Sequence, residues 1–222
     1  MTMRRLGGWL SVCMMAVAVS VMSGSRDMRA QEPRATSTPY AGDLSIFETP
    51  GRDQRLQIDR VMDLLKITPG KSVADIGAGS GWFTVRAARR VGEGGTVFAE
   101  DINPQAIHYI EKRAASEKLS NVKTVLGTPD DTKLLPGSVD AVLLLKVYHE
   151  IAHPIPVMQQ IRASLKAHGR VGIIDRNGNG ADHGLDLKVV QKEMGEAGYK
   201  LVSTYDFTKA DGQDYFLIFE AK

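Results

Sequence analysis

Cysteine is almost missing from this chain. Its one copy, Cys13, lies within the first thirty residues, so the rest has no disulfide, no thiol nucleophile and no cysteine metal site. A domain of this size can stand on its core, so the lack of disulfides neither contradicts nor supports export. An excess of one charge is also missing. Residues 1–30 hold four arginines and one aspartate, which leaves 24 basic and 25 acidic side chains in residues 31–222. Nothing in that balance suggests the clustered cationic footprint of a nucleic-acid binder. No internal repeat is present. With 43% apolar and 24% charged residues, the composition is that of a globular domain and not of a disordered chain.

Long apolar stretches are rare as well, and the longest sits at the start. Arg4 and Arg5 precede Leu6 to Met22, uncharged and mostly apolar, with small residues at Ser23, Gly24 and Ser25 and a second candidate cleavage point at Ala30. This is the pattern of an export signal over residues 1–30, cleaved to release a periplasmic or secreted protein or retained as a membrane anchor. The residues after Arg4-Arg5 match a twin-arginine signal poorly. Residues 31–51, rich in Ser, Pro, Thr, Gly and charge, read as a linker and irregular lead-in.

From Arg52 to residue 222 the pattern is regular. Leu56, Ile58, Val61, Met62, Leu64 and Leu65 recur at helical spacing, and Thr68-Pro69-Gly70 ends that helix. Strands are expected at 72–76, 96–100, 122–126, 139–145, 169–175, 200–206 and 214–219. Helices are expected at 82–91, 104–118, 155–166 and 185–197. Val139–Leu145 is the most continuous apolar run after the leader, as suits a strand buried on both faces. Alternating strands and helices predict a doubly wound, mostly parallel seven-stranded α/β sheet. The last two strands, joined by FTKADGQ, have too little chain for a helical crossover and should form an antiparallel hairpin.

The first strand runs straight into Gly77-Ala78-Gly79-Ser80-Gly81. Glycines permit positive φ and close approach of a ligand to the backbone, and the helix beyond offers free N–H groups to an anion. A dinucleotide fingerprint, G-x-G-x-x-G, needs glycine where Trp82 stands. The observed order is instead D-x-G-x-G-x-G, from Asp75 to Gly81. An acid, Asp101, follows 20 residues after the last glycine, at the distance expected of a ribose-binding carboxylate. Its neighbour Glu100 should point elsewhere, because side chains alternate along a strand.

In these features the chain resembles the class I S-adenosylmethionine-dependent methyltransferases, from about Arg52 to the C-terminus. The resemblance implies S-adenosyl-L-methionine as cofactor, with its methionine carboxylate at the glycine turn. It implies that Asp101 binds the ribose and that Ile102 packs on adenine. The implied cofactor-binding set is Asp75, Gly77, Ala78, Gly79, Gly81, Asp101, Ile102, Thr128, Asp131 and Lys146. Thr128 stands where many relatives have an acid for the adenine amino group; Asp131 or Asp130 would replace it, or both are solvated turn acids.

The acceptor side should lie just after the fourth strand, in LLLKVYHEIAHP, where Tyr148, His149 and Glu150 are the candidate catalytic residues. A base is needed only if the acceptor must lose a proton. His149-Glu150-Ile151-Ala152-His153 matches H-E-x-x-H literally, but that motif requires a mid-helix location and Pro154 follows at once. No metal site is therefore expected. Asp175, Arg176 and Asn177 should line the same rim, with 177–180 as a lid, and Arg52, Asp53 and Arg55 face the cofactor from the other side or simply start a solvated helix. The expected activity is methyl transfer to a small molecule, with no nucleic-acid partner and membrane contact only through the N-terminal segment. A binding module without transferase activity and a nicotinamide-dependent oxidoreductase are the alternatives.

Overall fold

The structure, a computed structural model, describes Thr2 and residues 33–222; the expected export signal lies outside the described residues. Strands β1 (Ser72–Ile76), β2 (Thr96–Asp101), β3 (Val122–Leu126), β4 (Val139–Leu145), β5 (Leu165–Asp175), β6 (Tyr199–Tyr205) and β7 (Tyr215–Ala221) form one sheet. Their order is β3-β2-β1-β4-β5-β7-β6. β1 to β5 pair in parallel, and β7 runs antiparallel between β5 and β6. The hairpin expected at the end is thus present, with a 3-10 turn, Phe207–Asp211, in its loop.

Side-chain alternation divides the core between the two faces of the sheet. Val73, Ala141, Leu143 and Ile174 pack with Leu56, Val61, Phe83 and Ala87, which belong to helices α1 (Arg52–Leu56), α2 (Ile58–Leu64) and α3 (Trp82–Val91). Ala74, Val142, Leu144 and Ile173 pack on the other face with Val157, Met158, Ile161, Val190 and Met194. Those come from α5 (Pro154–Ser164) and α6 (Leu187–Glu196). The remaining helix, α4 (Pro104–Ser116), sets Ile110 against Ala99 of β2. Its start is fixed by Asn103, whose side chain accepts the Gln105 N–H, and by Pro104 in the first turn.

Most boundaries fall within two residues of the sequence expectation, and two depart from it further. The first helix breaks at Gln57, where φ is +52°. The third long helix stops at Ser164, and β5 starts at Leu165 instead of Gly169. Leu165 pairs with Val139 across an irregularity in the β4–β5 register, so sheet pairing overrides the helical periodicity there. Residues 33–51 are packed on the domain: Leu44 is buried, and Arg34 forms a 2.8 Å ion pair with Glu193 of α6. Among the described residues no helix is long and apolar enough to cross a membrane.

Candidate active site

In such a sheet the chain leaves β1 and β4 toward helices on opposite faces, and a crevice opens beyond their carboxyl ends. A cavity of about 390 Å³ lies there, within the range of small-molecule sites. Its floor is the turn after β1. Gly77, Gly79 and Gly81 all have positive φ, +64°, +56° and +71°. At Gly77 a Cβ would also run into Val147, just after β4, so glycine there lets the two loops close on each other. Gly81, expected in the cofactor set, lies outside the cavity lining: it caps α3 with no side-chain partner and turns toward Ile110, while the first N–H groups of α3 remain the donors an anion could use.

Asp101 ties the floor to the next strand. Its Oδ2 accepts the Gly79 N–H at 2.8 Å, and its Oδ1 accepts the Asn103 N–H at 2.8 Å. Each carboxylate oxygen has a further lone pair, so a residue 8% exposed still offers two acceptors to the cavity. Burial raises the Asp101 pKa despite these backbone bonds. Asp75, beneath the turn, accepts the Thr84 hydroxyl at 2.6 Å, and burial pushes it up to about 7. Burial and the neighbouring Asp101 push Glu100 up to about 8. Glu100 also lines the cavity, packed against Gly127; the end of β2 is close enough to the glycine turn for both acids to border it.

Of the other residues expected to bind a cofactor, Ala78, Ile102, Thr128 and Lys146 line the cavity. Burial lowers the Lys146 pKa, helped by the nearby Arg52. Asp131 is turned outward and pairs with Lys133, while Pro129 and Thr132 occupy the wall beside Thr128. Asp130 is also turned away, onto His153 at 2.7 Å.

Sequence reasoning missed the roof. Pro39, Tyr40, Leu44 and Phe47, from the lead-in, line the cavity, and Tyr40 meets Phe47 edge to face at 5.5 Å. Glu48 holds this segment down by accepting from Ser80 Oγ at 2.6 Å and pairing with Arg113 of α4. The signal lay in the apolar residues of an otherwise polar stretch. Arg52 is buried on the same wall, stacked on Trp82 at 4.3 Å and bonded to Asp211 at 3.2 Å. Trp82, which breaks the dinucleotide spacing, is therefore a platform for Arg52 and, from α3, Arg86.

The acceptor-side candidates separate. Tyr148 is buried in the core beneath Arg34, and its hydroxyl donates to Glu193 at 3.0 Å; it does not border the cavity. Glu150 does, and burial pushes its pKa up to about 7. His149 stands behind it, 3% exposed, with Nε2 3.8 Å from Glu150 Oε1 and Nδ1 2.8 Å from Asp175 Oδ2. Asp175, fully buried at the end of β5, also accepts the His149 backbone N–H at 3.3 Å. With the carboxylate on Nδ1, Nε2 is the ring nitrogen turned toward Glu150. Arg176 instead braces its own loop, donating to the His183 carbonyl at 2.9 Å. His153 sits at the start of α5 on Asp130, so the H-E-x-x-H string does not gather its two imidazoles.

The sequence model of the methyltransferase-domain family matches residues 67–208. The chain belongs to this family. Its sheet order and antiparallel end are those of class I S-adenosylmethionine-dependent methyltransferases, and the family's cofactor is S-adenosyl-L-methionine. Among solved structures, an S-adenosylmethionine-dependent methyltransferase from Aquifex aeolicus superimposes with TM-score 0.72 at 19% identity, covering 81% of this chain and 98% of that one. Nocamycin O-methyltransferase of Saccharothrix syringae is 32% identical over 115 residues, 51% of this chain and 41% of that protein. An arsenite methyltransferase of Halobacterium salinarum is 29% identical over 136 residues, 61% of this chain and 35% of that protein. A tRNA (adenine(58)-N(1))-methyltransferase of Thermus thermophilus is 30% identical over 107 residues, 48% of this chain and 40% of that protein. The chain thus spans about two fifths or less of these curated relatives.

The residues present fit the family cofactor. The floor is free of Cβ atoms at Gly77 and Gly79, and Asp101 keeps spare acceptor capacity beside its two backbone bonds.

Proposed function

We propose that this methyltransferase-family domain transfers a methyl group from S-adenosyl-L-methionine to a small-molecule acceptor. The observation that carries the reading is the Asp101 bridge, which joins the glycine turn of β1 to the end of β2 at the mouth of the crevice. When bound, the cofactor supplies a methyl group on a sulfonium centre that is already electrophilic. What the chain must add is alignment and exclusion of water. Asp101 and Ile102 would hold the nucleoside end, and the turn at Gly77 and Gly79 would receive the methionine part, with Lys146 on the same wall as a cation for its carboxylate. Phe47 and Tyr40 line the same cavity and would help to screen a bound cofactor from water. Glu150, with His149 and Asp175 behind it, forms the polar part of the acceptor wall.

A small acceptor is favoured by the size of the cavity, about 390 Å³, which suits a small molecule. Residues 1–30, as an export signal or anchor, would place the domain outside the cytoplasm. Calorimetric titration with S-adenosylhomocysteine, together with mass spectrometry of a metabolite extract incubated with labelled cofactor, tests the proposal. Saturable binding with a labelled product supports it; binding without product leaves a cofactor-binding module; absence of binding refutes it.

A further inference from the structure

Three side chains that the sequence separates by 34 residues meet beside the cavity. The ligand atoms of His149, Glu150 and His183 all lie within 4.8 Å of one another. The rings of His149 and His183 stand edge to face with centroids 6.0 Å apart. A His–Glu contact of 3.8 Å is too long for a hydrogen bond, so the group is not a closed polar network.

Asp175 is the independent observation. Its fully buried carboxylate takes the Nδ1 edge of His149 and presents Nε2 to Glu150 and His183. A carboxylate on the far nitrogen is the usual support of a metal-binding imidazole, because it fixes the tautomer and raises the basicity of the ligating nitrogen. The third ligand is also held in place. The 176–185 loop closes on itself through the Leu185 N–H to the Arg176 carbonyl at 2.8 Å and the Gly180 N–H to the Gly184 carbonyl at 2.7 Å. Arg176 Nε donates to the His183 carbonyl at 2.9 Å, while the His183 side chain remains exposed.

We infer that His149 Nε2, the Glu150 carboxylate and a His183 ring nitrogen form a site for a divalent first-row transition cation such as Zn²⁺. Two imidazoles and one carboxylate are a donor set of catalytic zinc centres and of related first-row sites, with bonds of about 2.0–2.2 Å and a position left open. Closing the three ligands to such bonds asks for a movement of about 1 Å, which exposed His183 can supply. Glu150 belongs both to this trio and to the cavity wall. Granting the methyl-transfer reading above, the open position would take an oxygen or nitrogen of the acceptor and hold it at the cavity edge.

The test is calorimetric titration of the full chain with ZnCl₂, run beside the same titration with S-adenosylhomocysteine. One equivalent of Zn²⁺ should bind, and His183→Ala, at an exposed position, should weaken it at least about tenfold. Glu150→Gln should do the same, whereas His153→Ala should leave it unchanged. Lack of saturable Zn²⁺ binding, or affinity that survives His183→Ala, overturns the site. S-adenosylhomocysteine binding without Zn²⁺ binding removes this inference alone; the reverse outcome removes the methyl-transfer reading and keeps the cation site.

Discussion

Asp101→Asn separates the two tasks of that carboxylate. The amide keeps the size and one oxygen, so one of the two backbone N–H groups now held at 2.8 Å, Gly79 or Asn103, faces an NH₂ group instead. Losing a charge-assisted bond costs about 1.5–3 kcal/mol. The neutral amide recovers part of that, because burial already penalises the charged Asp101. The expected net loss of folding stability is therefore about 1 kcal/mol, small beside the whole. Cofactor binding has no such offset, since the amide has neither the charge nor the second acceptor oxygen. A loss of about 1.5–3 kcal/mol there is roughly a 10- to 150-fold weaker S-adenosylhomocysteine complex. Chemical denaturation and calorimetry on the same samples read the two quantities. An affinity within about threefold of the parent, in a protein of near-parental stability, would refute the assignment of Asp101.

Gly79→Val should abolish S-adenosylhomocysteine binding while the sheet still folds, read by calorimetry and far-UV circular dichroism; normal binding would contradict the turn geometry. Asp75 and Glu100, raised to about 7 and about 8, bind more protons in the native than in the unfolded state between about pH 4 and 8. Their contribution is thus full below about pH 4 and is lost progressively as pH rises, completely by about pH 8. Thermal midpoints should fall over that window, and Asp75→Asn or Glu100→Gln should flatten the fall. Asp175→Asn should lower turnover about a hundredfold or more with S-adenosylhomocysteine affinity unchanged, since it releases His149 from its fixed orientation; parallel losses in both would place Asp175 in general packing instead. Leu143→Ala, at a fully buried position in β4, should cost about 2–5 kcal/mol by denaturant unfolding.

The sheet was readable because its signals are local. Val139–Leu145 is a fully apolar strand apart from Asp140, and Asp75 to Gly81 gives the turn away by spacing alone. Thr128 and Lys146, which the family resemblance implies, line the cavity. Tyr148 and Asp131 were grouped with the site by proximity in sequence, but the direction of a side chain on a loop depends on its partners: Arg34 and Glu193, far along the chain, for Tyr148, and the local Lys133 for Asp131. The same dependence hid Phe47, Glu48 and His183. Each reaches the site through a segment held by contacts across more than thirty residues, with Arg113, Ser80 or His149, and no periodicity announces such a meeting.

The crease between β1 and β4 has a consequence for how this molecule can change. Its two banks are wound in opposite senses, and each carries its own loops. In the proposed reading the bank of β1 and β2 shapes the nucleoside shelf, while the loops after β4 and β5 hold Glu150, His149 and His183. Exchange of the second set can therefore redirect the chemistry toward a new acceptor without disturbing the shelf, provided that the short approach of Gly77 to Val147 is kept.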